Sequence, residues 1–239
     1  VKCLIVAAGQ GVRLQEKVEL KPLVSIRGTP LIEHVIERGR QAGIEDFVVV
    51  SGYRGDELRA HLDQYAARSG VHIEHVVNTD WRLANGMSVF KARSVVGSPF
   101  LLMMCDHLLD PQIIRALSAA PLAADGVLLA VDYNVREPLN DPDDATRVCC
   151  KDGRIEKIGK LLPEFDCFDT GAFLCSHFMF HALEQSQADG DYSISGAMNV
   201  LARQGRAYVL DVTGKTWVDV DDATAITLAE TMFEKGLLF

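Results

Sequence analysis

The sequence predicts an α/β fold, a single Rossmann-like, mixed but mostly parallel sheet flanked by helices. Three observations carry this reading. Short apolar runs rich in β-branched residues, such as Lys2–Ala7 (KCLIVA), Phe47–Val50 and Pro99–Cys105, recur along the chain. Segments with helical spacing of apolar positions separate them, which calls for parallel strands joined by right-handed crossovers. At 239 residues and 48% apolar composition the chain is long and apolar enough to cover both faces of such a sheet.

The elements follow in order. Lys2–Ala7 is a buried strand that runs into the Gly-rich AAGQG. Pro30 opens a helix in which Leu31, Val35 and Ile36 share a face, and Gly43 ends it. Phe47–Val50 is a strand closed by Ser51-Gly52, Glu57–Ala67 is helical, and His72–Val77 is a third strand. Met87–Val95 is a helix, and Pro99–Cys105 is a strand that stops at Asp106. In the second half Gly126–Tyr133 is a strand and Asn134–Asp144 a loop. Asp152-Gly153 is a hairpin turn between ATRVCC and RIEKIG. Ala172–Cys175 and Ala207–Val212 are strands, and His177–Gln187, Ile194–Arg203 and Ala223–Glu234 are helices. Residues 1–239 therefore form one domain whose second half adds strands closing over a crevice. Ligands of such sheets bind beyond the carboxyl ends of the strands, where the Gly-rich loop, Asn78 and Asp106 all fall.

Charge and composition narrow the function classes. With 33 acidic and 24 basic residues, a net charge of −9, the chain lacks the clustered cations of a nucleic-acid binder. No apolar run reaches the ~18 residues of a membrane span, and no segment has the pattern of a signal peptide. Six cysteines without a CxxC pair, several inside apolar runs, fit buried free thiols in a cytoplasmic protein.

Candidate chemistry centres on three segments. In AAGQGVRL, Gly9 and Gly11 let the backbone approach anionic oxygens, and Arg13 and Lys21 supply cations suited to a polyphosphate. The alternative is a Gly-rich turn with two solvated cations. Neither a dinucleotide fingerprint nor a P-loop fits, since Leu14 stands where a third small residue is needed and no GxxxxGK occurs. Asp106 ends an apolar strand, where it can hold Mg²⁺ or serve as a helix cap or surface acid. In WVDVDD, Asp219 and Asp221 alternate with valines and so face one side, as metal ligands or as a solvated strand end, and Asp222 caps the last helix. His72 and His75 face opposite ways, and His177 and His181 lack the glutamate of HExxH.

LIVAAGQGVRL, LKPL, NTDWRLANGMSV, MMCDHLL, DGRIEKIGK, DTGAFLCS and WVDVDD together resemble the GT-A-like nucleotidyltransferases that join a nucleoside triphosphate to a phosphomonoester. Within them the set is most similar to the CTP:inositol-1-phosphate cytidylyltransferases, with phosphocholine cytidylyltransferases as relatives, over Lys2 to Asp222. The resemblance implies a nucleotide-binding half, residues 1–125, and an acceptor-binding, metal-completing half, residues 126–239. Ala7, Ala8, Gly9 and Gly11 would hold the nucleotide, with Arg13 and Lys21 on its phosphates. Asn78, Asn85, Gly86 and Ser88 would hold base and ribose. Asp106 with Asp219 or Asp221 would bind Mg²⁺, although glutamate is expected at position 219. Lys160, with Asp169, Thr170 and Gly171, would meet the phosphate of the acceptor. Some members are fused to a membrane-bound alcohol phosphotransferase, which this chain, ending at KGLLF, does not include, as a stand-alone enzyme or as a trimmed part.

The implied chemistry suits these residues. A phosphomonoester, with a second pKa near ~6, is already a nucleophile at neutral pH and needs no general base. The rivals are the same reaction on phosphocholine or a sugar-1-phosphate, a non-catalytic nucleotide sensor, and a glycosyltransferase. Tyr133, Phe165 and Phe168 are the aromatics available for a choline cage.

Overall fold

Strand β1 (Cys3–Ala7) is apolar at every position, with every residue buried, because helices cover both faces of the sheet around it. This is a computed structural model, and it describes residues 1–11, 20–136 and 138–238. A short 3₁₀ turn at Lys21–Leu23 precedes the small ribbon β2 (Ser25–Ile26) and β3 (Thr29–Pro30). Helix α1 (Leu31–Gln41) follows, then β4 (Asp46–Ser51), α2 (Gly55–Ser69) and β5 (His72–Val77). Helix α3 (Gly86–Lys91) leads to β6 (Phe100–Met104), the short β7 (His107–Leu109) and α4 (Pro111–Ala119).

The second half comprises β8 (Val127–Asp132), the hairpin β9 (Arg147–Lys151) and β10 (Arg154–Gly159), and the long β11 (Cys167–Cys175). Helices α5 (Phe178–Ala188) and α6 (Ile194–Arg203), strands β12 (Ala207–Asp211) and β13 (Trp217–Asp219), and α7 (Ala223–Glu234) complete it. Among the described residues no helix is long and apolar enough to cross a membrane.

The main sheet runs β5-β4-β1-β6-β11-β8-β12-β10-β9 and is mixed. That mixture is as expected, and the parallel pairing holds for β5, β4, β1 and β6. In the second half it survives only between β8 and β12. Strand β11 enters antiparallel between β6 and β8, and its first residues also pair with β9, so the hairpin folds back toward the sheet centre. Residues of α1, α2, α4 and α7, such as Leu31, Leu58, Ile113 and Ala229, bury one face. Val89, Met179, Leu183 and Met198 of α3, α5 and α6 bury the other. Fully buried Phe47, Phe100, Phe168 and Phe173 span the sheet, each contributing roughly 1.5–3 kcal/mol by burial.

Local differences from the sequence reading have local causes. The helix expected over Met87–Val95 stops at Lys91, because β-branched Val95 and Val96 and then Gly97 disfavour its continuation. The strand expected at Ala172–Cys175 starts five residues earlier, at Cys167, because β11 carries a register shift between Asp169 and Phe173 that breaks its alternation. Asp110 and Asp222 cap α4 and α7, each accepting from a backbone N–H of the first turn, at 2.8 Å.

Buried Asn140 holds β13 in place from the Asn134–Asp144 loop. Its Nδ2 donates to the Trp217 carbonyl at 3.1 Å and its Oδ1 accepts from the Asp219 N–H at 2.8 Å, as a neighbouring strand would. Asn140→Ala should therefore lower stability by about 1–3 kcal/mol, the cost of orphaning buried backbone groups, as read by urea unfolding.

Candidate functional site

The site lies at the carboxyl ends of β1 and β6. After β6 the chain turns at Cys105 and Asp106 into β7, which pairs antiparallel with β13 so that His107 stands opposite Asp219. The Val220 N–H donates to the Asp106 carbonyl at 2.9 Å and extends that ribbon. A two-stranded ribbon thus joins acids that are more than a hundred residues apart in sequence. Asp144, in the loop before β9, completes the group, because its carboxylate lies within 4.8 Å of those of Asp219 and Asp221.

Lys21 reaches this cluster from the 3₁₀ turn. Its Nζ donates to Asp106 Oδ2 at 2.6 Å and also to Asp221 Oδ1. Gly11 makes that approach possible, since a Cβ on it would stand 2.7 Å from Lys21 Cβ, and its φ of +63° suits glycine. Burial alone would disfavour the ammonium, but Asp106 and Asp221 outweigh it and hold Lys21 firmly protonated. Burial likewise opposes ionisation of Asp106, and Lys21 overcomes it, so its carboxyl lies below the usual range.

The other acids go the opposite way. Burial pushes Asp219 up to about 7, His107 opposes the shift, and Asp106 and Asp221 add to it. Burial also raises Asp221, helped by a hydrogen bond with Asp144 and opposed by Lys21. Asp219 Oδ1 is buried and has no hydrogen-bond partner.

His107 is held on three sides. Its Nδ1 donates to the Thr170 carbonyl at 2.8 Å, its ring stacks on Trp217 at 6.0 Å, and Nε2 faces Asp219 Oδ2 at 3.5 Å and Asp106 Oδ1 at 3.8 Å. The irregularity in β11 aims the Thr170 carbonyl. Gly171, at φ +77°, leaves room for the ring, since a Cβ there would lie 2.4 Å from His107 Nδ1. Burial lowers the tendency of His107 to charge, but Asp219 and Asp106 prevail and the net shift is upward. Asp169, whose Oδ1 accepts from the Gly171 N–H at 2.7 Å, is raised by burial to about 6.

A cavity of about 210 Å³ opens beside these groups, lined by Asn85, Asp106, His107, Lys160, Asp169 and Asp219 among others. Lys160 Nζ donates to Asp144 at 2.7 Å across it. Of the residues expected from the sequence, Lys21, Asn85, Asp106, Lys160, Asp169, Gly171, Asp219 and Asp221 thus meet at one place.

Others serve neighbouring protein groups. Asn78 and Ser88 are buried, 1% and 3% exposed, and hydrogen-bond each other at 3.0 Å. Thr170 Oγ1 donates to the Ala130 carbonyl at 2.9 Å, so its part in the site is its own carbonyl on His107. Asn85 Oδ1 accepts from the Ile194 N–H at 3.0 Å, and Gly86 packs against Tyr192 and Ser193. Ala7 and Ala8 are buried, the Ala8 carbonyl accepts from the Tyr53 N–H at 3.0 Å, and Gly9 is exposed beside them. Arg13 lies outside the described residues.

The sequence reading assigned no role to His107 or Asp144. The DH pair in MMCDHLL was a signal for His107, whereas Asp144 was one of three aspartates in a loop with nothing to distinguish it. The aromatics considered for a choline cage do not form one. Phe168 is buried, Arg147 covers Phe165 at 5.0 Å, and the Tyr133 hydroxyl pairs with Cys150.

Comparison with known proteins decides the family. The pattern of the MobA-like NTP transferase domain matches residues 3–205. The chain belongs to that family. This NTP transferase domain is 34% identical over 234 residues to a bifunctional IPC transferase and DIPP synthase of Rubrobacter xylanophilus, covering 97% of the chain and 52% of that protein. It is 32% identical to the protein of the same description from Thermococcus kodakarensis, covering 97% of the chain and 50% of the relative. The chain thus spans about half the length of the curated relatives it matches. Among solved structures it is similar to the inositol-1-phosphate CTP transferase from T. maritima, with a TM-score of 0.84 and 25% identity over 98% of this chain and 96% of that one. A UDP-glucose pyrophosphorylase shares the fold, with a TM-score of 0.79 at 17% identity over 98% of each chain.

The donor set fits a divalent cation. The acids bring ligand atoms within 4.8 Å of one another, Asp219 Oδ1 is a buried oxygen without a hydrogen-bond partner, and the Lys21 ammonium shows that positive charge is accommodated between Asp106 and Asp221.

A consequence for stability follows from Asp219. Its folded pKa, about 7, lies above its ordinary 3.8, so between those values the folded state holds a proton that the unfolded state releases. Without metal, stability should fall as pH rises from about 4 through 7. Asp219→Asn should remove that loss, gaining on the order of 1–3 kcal/mol relative to wild type at pH 8 and little at pH 5, as read by urea unfolding in chelator.

Proposed function

We propose that this domain transfers a cytidylyl group from CTP to inositol-1-phosphate, giving a CDP-alcohol and pyrophosphate. The observation that supports this best is that Asp106, Asp219, Asp221 and Lys160 line one cavity, with the Lys21 ammonium bonded to Asp106 and Asp221. The likeness to an inositol-1-phosphate CTP transferase over nearly the whole chain agrees with it.

In this reading an oxygen of the acceptor phosphate attacks the α-phosphorus of CTP, and the bond to the β-phosphoryl oxygen breaks to release pyrophosphate. The acceptor is largely ionised at neutral pH, so no side chain must take a proton from it. The task left to the protein is to bring two polyanions together in line. Ala7–Gly11 and Arg13 cradle the triphosphate. Lys21 turns from its carboxylates toward phosphate oxygens, and Lys160 leaves Asp144 to bind the acceptor phosphate. Asp169, desolvated at the floor of the cavity, receives polyol hydroxyls. Asn78, Ser88 and Asn85 fix the loops around base and ribose. Asp106, Asp219 and Asp221 would hold Mg²⁺, which when bound neutralises charge on the triphosphate and the departing pyrophosphate.

Residues 1–239 act as one domain in this proposal, with the nucleotide on the first half and the acceptor on the second. The CDP-alcohol would be consumed by a membrane alcohol phosphotransferase, fused or separate, that displaces CMP. The phospholipid-precursor role and the cytoplasmic setting belong to the same proposal.

Pyrophosphate release with Mg²⁺, pairing CTP, UTP, ATP and GTP with inositol-1-phosphate, phosphocholine and glucose-1-phosphate, tests the reading. Release with CTP and inositol-1-phosphate alone is expected. Another productive pair would move the substrate, and CTP binding without release on any acceptor would indicate a sensor. Lys21→Ala should lower kcat by about 10²–10³, the usual loss of one transition-state electrostatic contact. Lys160→Ala should raise KM for the acceptor at least about tenfold with CTP affinity unchanged, since a charged hydrogen bond contributes about 1.5–3 kcal/mol.

A further inference from the structure

His107 stands among the proposed metal carboxylates, yet the proposed reaction gives it no proton to move. Three features define what its Nε2 can do. First, Nδ1 is committed as a donor, because the Thr170 carbonyl at 2.8 Å can only accept. In the neutral ring this leaves Nε2 as a lone-pair nitrogen aimed into the cluster. Second, Nε2 lies 3.5 Å from Asp219 Oδ2 and 3.8 Å from Asp106 Oδ1, and one ligand atom of each residue falls within 4.8 Å of the others. Donors around one octahedral ion at about 2.1 Å stand about 3.0 Å apart when adjacent and about 4.2 Å apart when opposite. The two Nε2 distances lie between those values. Third, Asp219 Oδ1 is buried without a hydrogen-bond partner, so the cluster has an unspent acceptor beside the imidazole.

The pinning of the ring is itself the arrangement found behind metal-bound histidines, whose second nitrogen donates to a carbonyl or carboxylate that fixes tautomer and orientation. Here it takes a strand irregularity, a positive-φ glycine and the Trp217 face to achieve it. A side chain serving only as a counter-charge would not need its Nδ1 fixed.

From this we infer that His107 Nε2 is a nitrogen ligand of the divalent ion, alongside Asp106 and Asp219. The inference rests on the metal-dependent reading above and deepens it. A nitrogen donor adds more to binding of a transition-metal ion such as Mn²⁺, which accepts imidazole nitrogen more readily, than to binding of Mg²⁺, which gains little from it.

The test uses the whole chain and Mn²⁺ as the probe, alone and with CTP, read by pulsed EPR. Wild type should show ¹⁴N coupling to bound Mn²⁺. Protein grown with ¹⁵N-histidine should show ¹⁵N coupling instead, which needs no mutation and excludes a nucleotide nitrogen. His107→Gln should lose the coupling and weaken Mn²⁺ binding at least about tenfold, with a change in Mg²⁺ binding of no more than about threefold. Mn²⁺ bound without nitrogen coupling in either sample would overturn the inference, as would failure of Mn²⁺ to bind at all. Failure of the proposed reaction is read separately, as absence of pyrophosphate release across the substrate panel whatever the EPR shows.

Discussion

Asp106, Asp144, Asp219 and Asp221 are held together at one end of the sheet against their own repulsion, and Lys21 and His107 make that tolerable. Buried like charges this close would otherwise protonate or separate. The chain applies both available remedies. Lys21 holds Asp106 below the usual carboxylate range, while burial raises Asp219 and Asp221. Carboxyls shifted in opposite directions thus stand side by side at the end of the sheet. The geometry is maintained by parts that touch no substrate: the β7–β13 ribbon, the Asn140 clamp and the Gly11 approach.

Much of this was legible in the sequence because it is local. Cys3–Ala7 is apolar at every position and could only be a covered strand, and Ile194–Arg203 and Ala223–Glu234 carry their helical patterns between clear boundaries. Asp106 announced itself as an acid ending an apolar run. Asp219 and Asp221 did so by alternating with valines.

What the sequence did not reveal depends on distant partners. Nothing local to Cys167–Cys175 says that it lies antiparallel between β6 and β8, since an apolar strand is compatible with either direction. The expected strand begins only at Ala172, because the irregularity before it is stabilised by contacts made elsewhere: Ala130 on Thr170, and His107 over Gly171. Asn78 and Ser88 show the converse case. Polar residues in a loop-like motif suggested ligand contacts, and the fold pairs them with each other instead.

The position of β11 also bears on how the protein is made. Residues 1–104 contain the parallel strands β5, β4, β1 and β6, which can pair among themselves as soon as they leave the ribosome. The outer side of β6 has no neighbour until Cys167–Cys175 has been synthesised, and β8 shares that wait. For that interval a nascent chain displays an apolar strand edge of the kind that recruits other chains. The sheet order thus makes a central strand arrive late, from the half of the chain that also completes the acidic cluster.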